Sequence, residues 1–313
     1  MSDREKDRVD QDLLERFEDG LDTRNLTRSR VEAKILGYGE ISTVFQIRDD
    51  EGRAWKRMPF FRDRESAEQY LTNYTEYCRL LAEAGLRLPE TDTVILERAV
   101  GPVVFYIGQR MFPAGKFGHG LIHALDQEET HRIMERIVGE IGKVWAFNRA
   151  RRGDVELALD GQLSNWVAVG AGNDEVLFYT DTSTPLFRIR EREQLDPDLF
   201  LVNVPTFMRW IVRRFFLDGV MTRYYSPRKV YIDLAANLYK EQRSDLIPTA
   251  LAAINDRLDD VRGPISAEEV RRYYREDRVI WSVFLALRRF DRWMQSRILG
   301  RPYDFILPGK IRR

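Results

Sequence analysis

Between Leu159 and Asp181 the chain carries two acids and an amide whose spacing could do chemistry. Asp160 comes first, Asn165 stands five positions on, and Asp181 closes the stretch. Two short apolar runs, Trp166 to Val169 and Val176 to Tyr179, lie between them, separated by a Gly/Asn/Asp turn from Gly170 to Asp174. This pattern predicts a loop, a strand, a tight hairpin and a second strand. The hairpin would return Asp181 to the loop that holds Asp160 and Asn165. Two carboxylates and an amide oxygen gathered there suit one base and one hard metal ion.

A second chemical region lies near the start. Ala33 to Ile47 contains Gly37-x-Gly39-x-x-Ser42-x-Val44, and the residues after the glycines are β-branched and alternating, hence a strand. A dinucleotide-binding fingerprint would open a helix at that point. A strand, a glycine flap and a strand instead let the backbone close over phosphates and donate its N–H groups to them. Taken alone, the glycines suit an ordinary hairpin equally well. Arg53 to Met58 reads as a third strand that places Lys56 among apolar neighbours.

Helices and strands must position these groups. Leu13 to Leu21 reads as a short amphipathic helix, and Asp63 to Ala84 as a long one closed by Gly85. Thr93 to Glu97 and Val103 to Met111 read as strands. Glu128 to Arg149 is a helix with a continuous apolar stripe leading into the Asp160 loop. Further helical stretches are Thr206 to Leu217, Arg228 to Gln242, Asp245 to Asp259, Ala267 to Tyr274 and Ile280 to Leu299.

Asp160-x-x-x-x-Asn165, then Asp181 after a hairpin, with the glycine flap and Lys56 upstream, resembles the protein-kinase-like superfamily. The details look more like its aminoglycoside-phosphotransferase-like small-molecule kinases than its protein kinases. The resemblance covers about residues 33–185. It departs from the pattern at Ala158, where a loop His is usual, at Ser42, where a third Gly is usual, and at Asp181-Thr182-Ser183 in place of Asp-Phe-Gly.

The resemblance implies an α+β, two-lobed kinase-like fold: a small antiparallel sheet lobe with one long helix, then a larger, mainly helical lobe. The corresponding boundaries are a polar segment and short helix at 1–30, the flap-bearing lobe at 31–112 and the helical lobe at 113–313. It implies ATP and Mg2+ as cofactors, with Gly37, Gly39, Ser42 and Lys56 on the nucleotide phosphates and the hinge segment around Gln109 and Met111 on the adenine. Asp160 would accept the proton of an acceptor hydroxyl, and Asn165 and Asp181 would hold the metal. Lys56 would be oriented by a helical acid, Glu76 in preference to Glu68. The departures also admit a nucleotide-binding pseudokinase or scaffold without phosphoryl transfer, and more remotely nucleotidyl transfer.

The remaining composition narrows the classes. Lys plus Arg equals Asp plus Glu at 50 each in 313 residues, so no global field argues for nucleic acid or an anionic membrane. Cys78 is the single cysteine, which excludes an intrachain disulfide and favours a reducing compartment. The charged first residues do not resemble a signal peptide, and the expectation is a cytoplasmic protein whose partners are a nucleotide and an unidentified acceptor. His119 and His123 lie four apart, but no further ligand completes a zinc spacing. Arg and aromatic residues interleave in the last helices, as in Arg288-Arg289-Phe290, and read as amphipathic helices with snorkelling arginines rather than stacking platforms for nucleic acid.

Overall fold

The computed structural model describes residues 11–38, 42–48, 50–99, 101–170, 172–196, 198–199, 222–258, 260–301 and 303–307. The helix expected from Thr206 to Leu217, and Gly39 of the flap, lie outside the described residues. The chain forms two units. The first comprises Met1–Thr72, Glu90–Met111 and Arg288–Arg312, and the second Asn73–Pro89 and Phe112–Leu287.

The first unit is built on a five-stranded antiparallel sheet. Its strands are β1 (Ala33–Tyr38), β2 (Thr43–Ile47), β3 (Asp50–Phe61), β4 (Thr91–Leu96) and β5 (Val103–Arg110), in the order β1-β2-β3-β5-β4. β2 buries Thr43, Phe45 and Ile47 in strict alternation, the pattern of a strand with one core face. β3 is longer than its apolar run suggested. It continues through Pro59 to Phe61, and the register against β5 shifts between Met58 and Phe61, the kind of irregularity that tolerates a proline.

On one face, α1 (Gln11–Asp19) lays Leu13, Leu14 and Phe17 against Phe45, Ile47, Trp55, Val104 and Tyr106. Each such side chain contributes about 1.5–3 kcal/mol when fully buried. Successive strand residues point to opposite faces, so Phe105 serves the other side. There the first half of α2 (Arg64–Glu83) places the Tyr70 ring 5.1 Å from Phe61 and 5.3 Å from Phe105. Gly108 is obligatory in β5, because a Cβ there would lie 2.6 Å from Cζ3 of Trp55.

Charge is also buried in this unit. Glu18 accepts from Arg57 Nε at 2.8 Å and from the Tyr106 hydroxyl at 2.5 Å, and Arg98 stands at 3.3 Å. Burial pushes the Glu18 carboxyl up, but the bonds and charge of Arg57, with Tyr106 and Arg98, bring it below its ordinary value. Arg57 also donates to the carbonyl of Asp304 at 2.6 Å, and Thr23 to that of Tyr303 at 2.7 Å, which fastens the C-terminal segment to the sheet.

The second unit is mainly helical. Its described helices, beyond the second half of α2, are α3 (Gly118–Ala124), α4 (Gln127–Ala150), α5 (Pro227–Lys240), α6 (Ile247–Asn255) and α7 (Ala267–Trp293), the last running on into the first unit at Arg288. Asp126 and Glu129 form a capping box at the start of α4, and Ile133, Ile137, Ile141 and Val144 make its buried stripe, with α6 packed alongside. Two small sheets complete the unit. β6 (Val155–Leu157) pairs with β9 (Phe187–Ile189), which pairs with β10 (Arg192–Glu193), and β7 (Trp166–Val169) pairs with β8 (Val176–Tyr179).

α7 corrects the expectation of two helices at Ala267 to Tyr274 and Ile280 to Leu299. The intervening Arg275–Val279 lacks an apolar stripe, but it contains no Pro or Gly, and the helix continues through it. No helix among the described residues is long and apolar enough to cross a membrane.

Candidate functional site

The loop after β6 is held at almost every peptide. Asn148 brackets Leu157, accepting from its N–H and donating to its carbonyl, both at 2.8 Å. Ala158 stands where the resemblance leads one to look for a histidine. Its N–H donates to Leu186 O at 2.9 Å and its carbonyl accepts from the Tyr77 hydroxyl at 2.8 Å. Gly161 passes so close to α5 that a Cβ would lie 2.7 Å from Val230 Cγ1.

Asp160 is half-buried. Its N–H donates to the Tyr179 hydroxyl at 3.2 Å, and its Oδ1 accepts from the N–H of Gln162 at 3.0 Å, an Asx turn that fixes the side chain. Asn165 closes the loop by donating from Nδ2 to Asp160 O at 3.0 Å. Its own carbonyl accepts from Thr180 N at 2.9 Å and from Thr180 Oγ1 at 3.2 Å. Trp166 faces Tyr179 across β7 and β8. The hairpin therefore carries Asn165 on one strand end and Asp181 just beyond the other. Asn165 is thus bonded both to Asp160 and to Thr180, the residue before Asp181.

Beyond Asp181 the chain turns inward. Ser183 Oγ donates to Asp181 Oδ1 at 3.1 Å, and Thr182 Oγ1 lies 3.3 Å from the Tyr74 hydroxyl. Both Thr182 and Ser183 are buried. Tyr77 and Tyr179 titrate well above the ordinary tyrosine value. Desolvation is the main cause for both, and Asp181 and Asp160 each add negative charge nearby. Both phenols stay protonated and act as fixed donors and acceptors beside the two carboxylates.

Three polar residues of α5 also face this loop and were not anticipated. Asn237 accepts from Leu163 N at 3.0 Å and returns its Nδ2 to Asp233 O at 3.0 Å. Asp233 and Lys240 lie four residues before and three after it, on the same helical face. Lys240 and Arg223 meet Asp277 of α7 at 3.3 and 3.0 Å. Burial pushes the Lys240 ammonium down, but Asp233, Asp277 and Asp160 together raise it above its ordinary value. Asp233, Asn237 and Lys240 carried no signal beyond their spacing of four and three along a helix.

The remaining expected residues are spread over other elements. Gly37 lies in β1 opposite Val44, with open space where a Cβ would stand, and Ser42 is buried just before β2. Lys56 is 9% exposed in β3, paired with Val44 and Ile107. Gln109 is buried in β5, and Met111 donates its N–H to Gly52 O at 2.8 Å. Glu76 does not have its carboxylate open. Arg79, one turn on, holds it with two bonds of 2.8 Å, and those bonds lower its pKa. His123 lies 3.8 Å from Glu241 and His131 3.8 Å from Glu135. Among the described residues no group of three or more His, Cys, Asp or Glu is placed to hold a metal ion.

The model of a family of unknown function, DUF6206, matches residues 20–292. No curated protein matches the chain. One solved structure to which it is similar is described as WaaP in complex with acyl carrier protein. The identity is 12%, the alignment covers 89% of this chain and 96% of that one, and the TM-score is 0.37. A likeness at that level carries no argument about what this chain does.

Proposed function

The chain belongs to a family of unknown function, DUF6206, and from its own residues we propose that it is a kinase-like, ATP- and Mg2+-dependent phosphotransferase acting on a hydroxyl of a small-molecule acceptor. The observation that supports the reading most is the joining of the Asp160 loop to the β7–β8 hairpin through Asn165, which is bonded to Asp160 and to Thr180, the neighbour of Asp181. The five-stranded antiparallel sheet, with buried Lys56 on its third strand, is the second support.

The donor set suits Mg2+. This ion keeps several waters and is bound through one or two protein oxygens together with substrate phosphates, so a three-acid cluster is not required. Asn165 gives its Nδ2 to Asp160 O. Its Oδ1, which accepts from Ser164 Oγ at 3.4 Å, would be the metal ligand, and Asp181 would supply the carboxylate. The bound ion would neutralise charge on the phosphates.

The chain's own residues do the rest. Lys56 orients the nucleotide phosphates, and Gly37, Gly39 and Ser42 bring backbone donors to them. Gln109 and Met111 mark the adenine segment through backbone groups other than the Met111 N–H. Asp160, pinned by Gln162 and Tyr179, receives the proton of the acceptor hydroxyl. The chemistry is then positioning and electrostatic stabilisation of a phosphoryl group in flight. Glu76 remains the sequence-based partner for Lys56, and in that role it must first give up Arg79.

That engagement, together with the departures at Ala158, Ser42 and Thr182-Ser183, favours the second reading, a nucleotide-binding pseudokinase. Calorimetric titration of ATP in Mg2+ decides the site. Asp181→Ala is expected to weaken binding at least about tenfold and Asp160→Ala to leave it within about twofold. Unchanged affinity in Asp181→Ala contradicts the assignment. Release of ADP rather than pyrophosphate on turnover separates phosphoryl from nucleotidyl transfer.

A further inference from the structure

Where α7 enters the first unit its polarity is inverted. Arg288 and Asp291 are buried, at 4% and 5% exposure, while Phe290 and Trp293 stand out at 43% and 52%. The two exposed rings lie 5.8 Å apart. Beyond them the helix ends in a wider turn, Met294–Ile298, and Ile298 and Leu299 are exposed in their turn. Four large apolar side chains within ten residues on one surface segment are far from the scattered exposed apolar residues of an ordinary surface.

The charge around them is one-sided. Residues 288–301 contain five arginines and a single acid, Asp291, which is buried. Arg289, Arg297 and Arg301 are exposed, and Arg292 is half-buried. This local excess disappears in the whole-chain balance of 50 against 50.

We propose that the segment from Arg289 to Arg301 docks on an anionic lipid surface, with Phe290, Trp293, Ile298 and Leu299 immersed and the arginines at the headgroups. A segment with exposed aromatic and aliphatic side chains interleaved with arginines can lie in the interface plane, its apolar groups about 5–10 Å deep. Tryptophan suits that depth, since its ring is apolar and its N–H polar. The arginines argue against a second copy of the chain, because self-pairing of this face would bring like charges together. Ile298 and Leu299 argue against a nucleic acid, since aliphatic side chains offer no face on which a base can stack.

The test is co-sedimentation of the full chain with phosphatidylcholine vesicles, with and without roughly one third phosphatidylglycerol. The chain is expected to sediment with the anionic vesicles, to stay in solution with the neutral ones, and to release as salt rises. Phe290→Ser/Trp293→Ser and Arg297→Glu/Arg301→Glu should each weaken binding at least about tenfold, with melting temperatures unchanged since the altered groups are exposed. The proposal is overturned if the wild-type chain stays in the supernatant with anionic vesicles, or if Phe290→Ser/Trp293→Ser binds them as the wild type does. It is equally overturned if, with no vesicle binding, that variant abolishes a dimer seen by ultracentrifugation or the binding of a single-stranded oligonucleotide.

Discussion

Replacing Glu18 by Gln removes one charge and almost no volume from the centre of the first unit. The Glu18 and Arg57 side chains are 3% and 2% exposed, so Arg57 has no water to replace its partner. Two bonds from Arg57 to a carboxylate become at most one to an uncharged amide oxygen, and Arg98 keeps Asp304 at 2.6 Å but loses the Glu18 charge. Breaking a buried pair by neutralising one partner costs about 3–5 kcal/mol, a large share of the roughly 5–15 kcal/mol that holds a domain. Urea denaturation monitored by tryptophan fluorescence reads the loss. The paired replacement Glu18→Leu/Arg57→Met should recover part of it, because apolar groups of similar size remove both desolvation costs together while the Tyr106 hydroxyl loses its acceptor.

The pH dependence has a definite sign. The folded carboxyl of Glu18 titrates below its unfolded value, so its stabilisation is complete above the unfolded value. It is lost as pH falls through the folded one. The acid limb of the wild-type stability curve should therefore be shallower in Glu18→Gln. A Glu18→Gln chain within about 1 kcal/mol of wild type, with an unchanged acid limb, refutes the reasoning.

Other substitutions probe the loop. Asn237→Ala leaves the buried Leu163 N–H without its acceptor and should cost about 1–3 kcal/mol in urea denaturation. Under the proposed function it should also lower turnover more than nucleotide affinity. Gly161→Ala forces Val230 and Ile141 aside and should lose about 1–3 kcal/mol by the same assay. Tyr77→Phe removes the donor to Ala158 O at constant shape, for a loss of about 1–2 kcal/mol in thermal denaturation.

The sheet, α2, α4 and the Asp160 loop were legible because each rests on a local pattern, whereas α7 read as two helices. Alternation marked β2, a Gly/Asn/Asp turn marked the β7–β8 hairpin, and the apolar stripe marked α4. What was not legible depended on competition between partners. Nothing local shows that Arg79 takes the Glu76 carboxylate, or that Glu18 pairs with Arg57, 39 residues away. Asn237 sits on a helix whose neighbours are buried and apolar, and its role appears only once Leu163 is beside it. The inverted face at Phe290 and Trp293 was hidden for a related reason. Periodicity shows that a helix has two faces but leaves open which one the rest of the chain covers.

The most direct test of the central claim is a thermal-shift titration of the full chain with ATP, with and without Mg2+. A site that binds only the folded state stabilises it by about 2.7 kcal/mol at a hundredfold excess over Kd. The account predicts a clear upward shift that requires Mg2+ and is lost in Asp181→Ala. An ATP shift indifferent to Mg2+, or none at millimolar ATP, would contradict it.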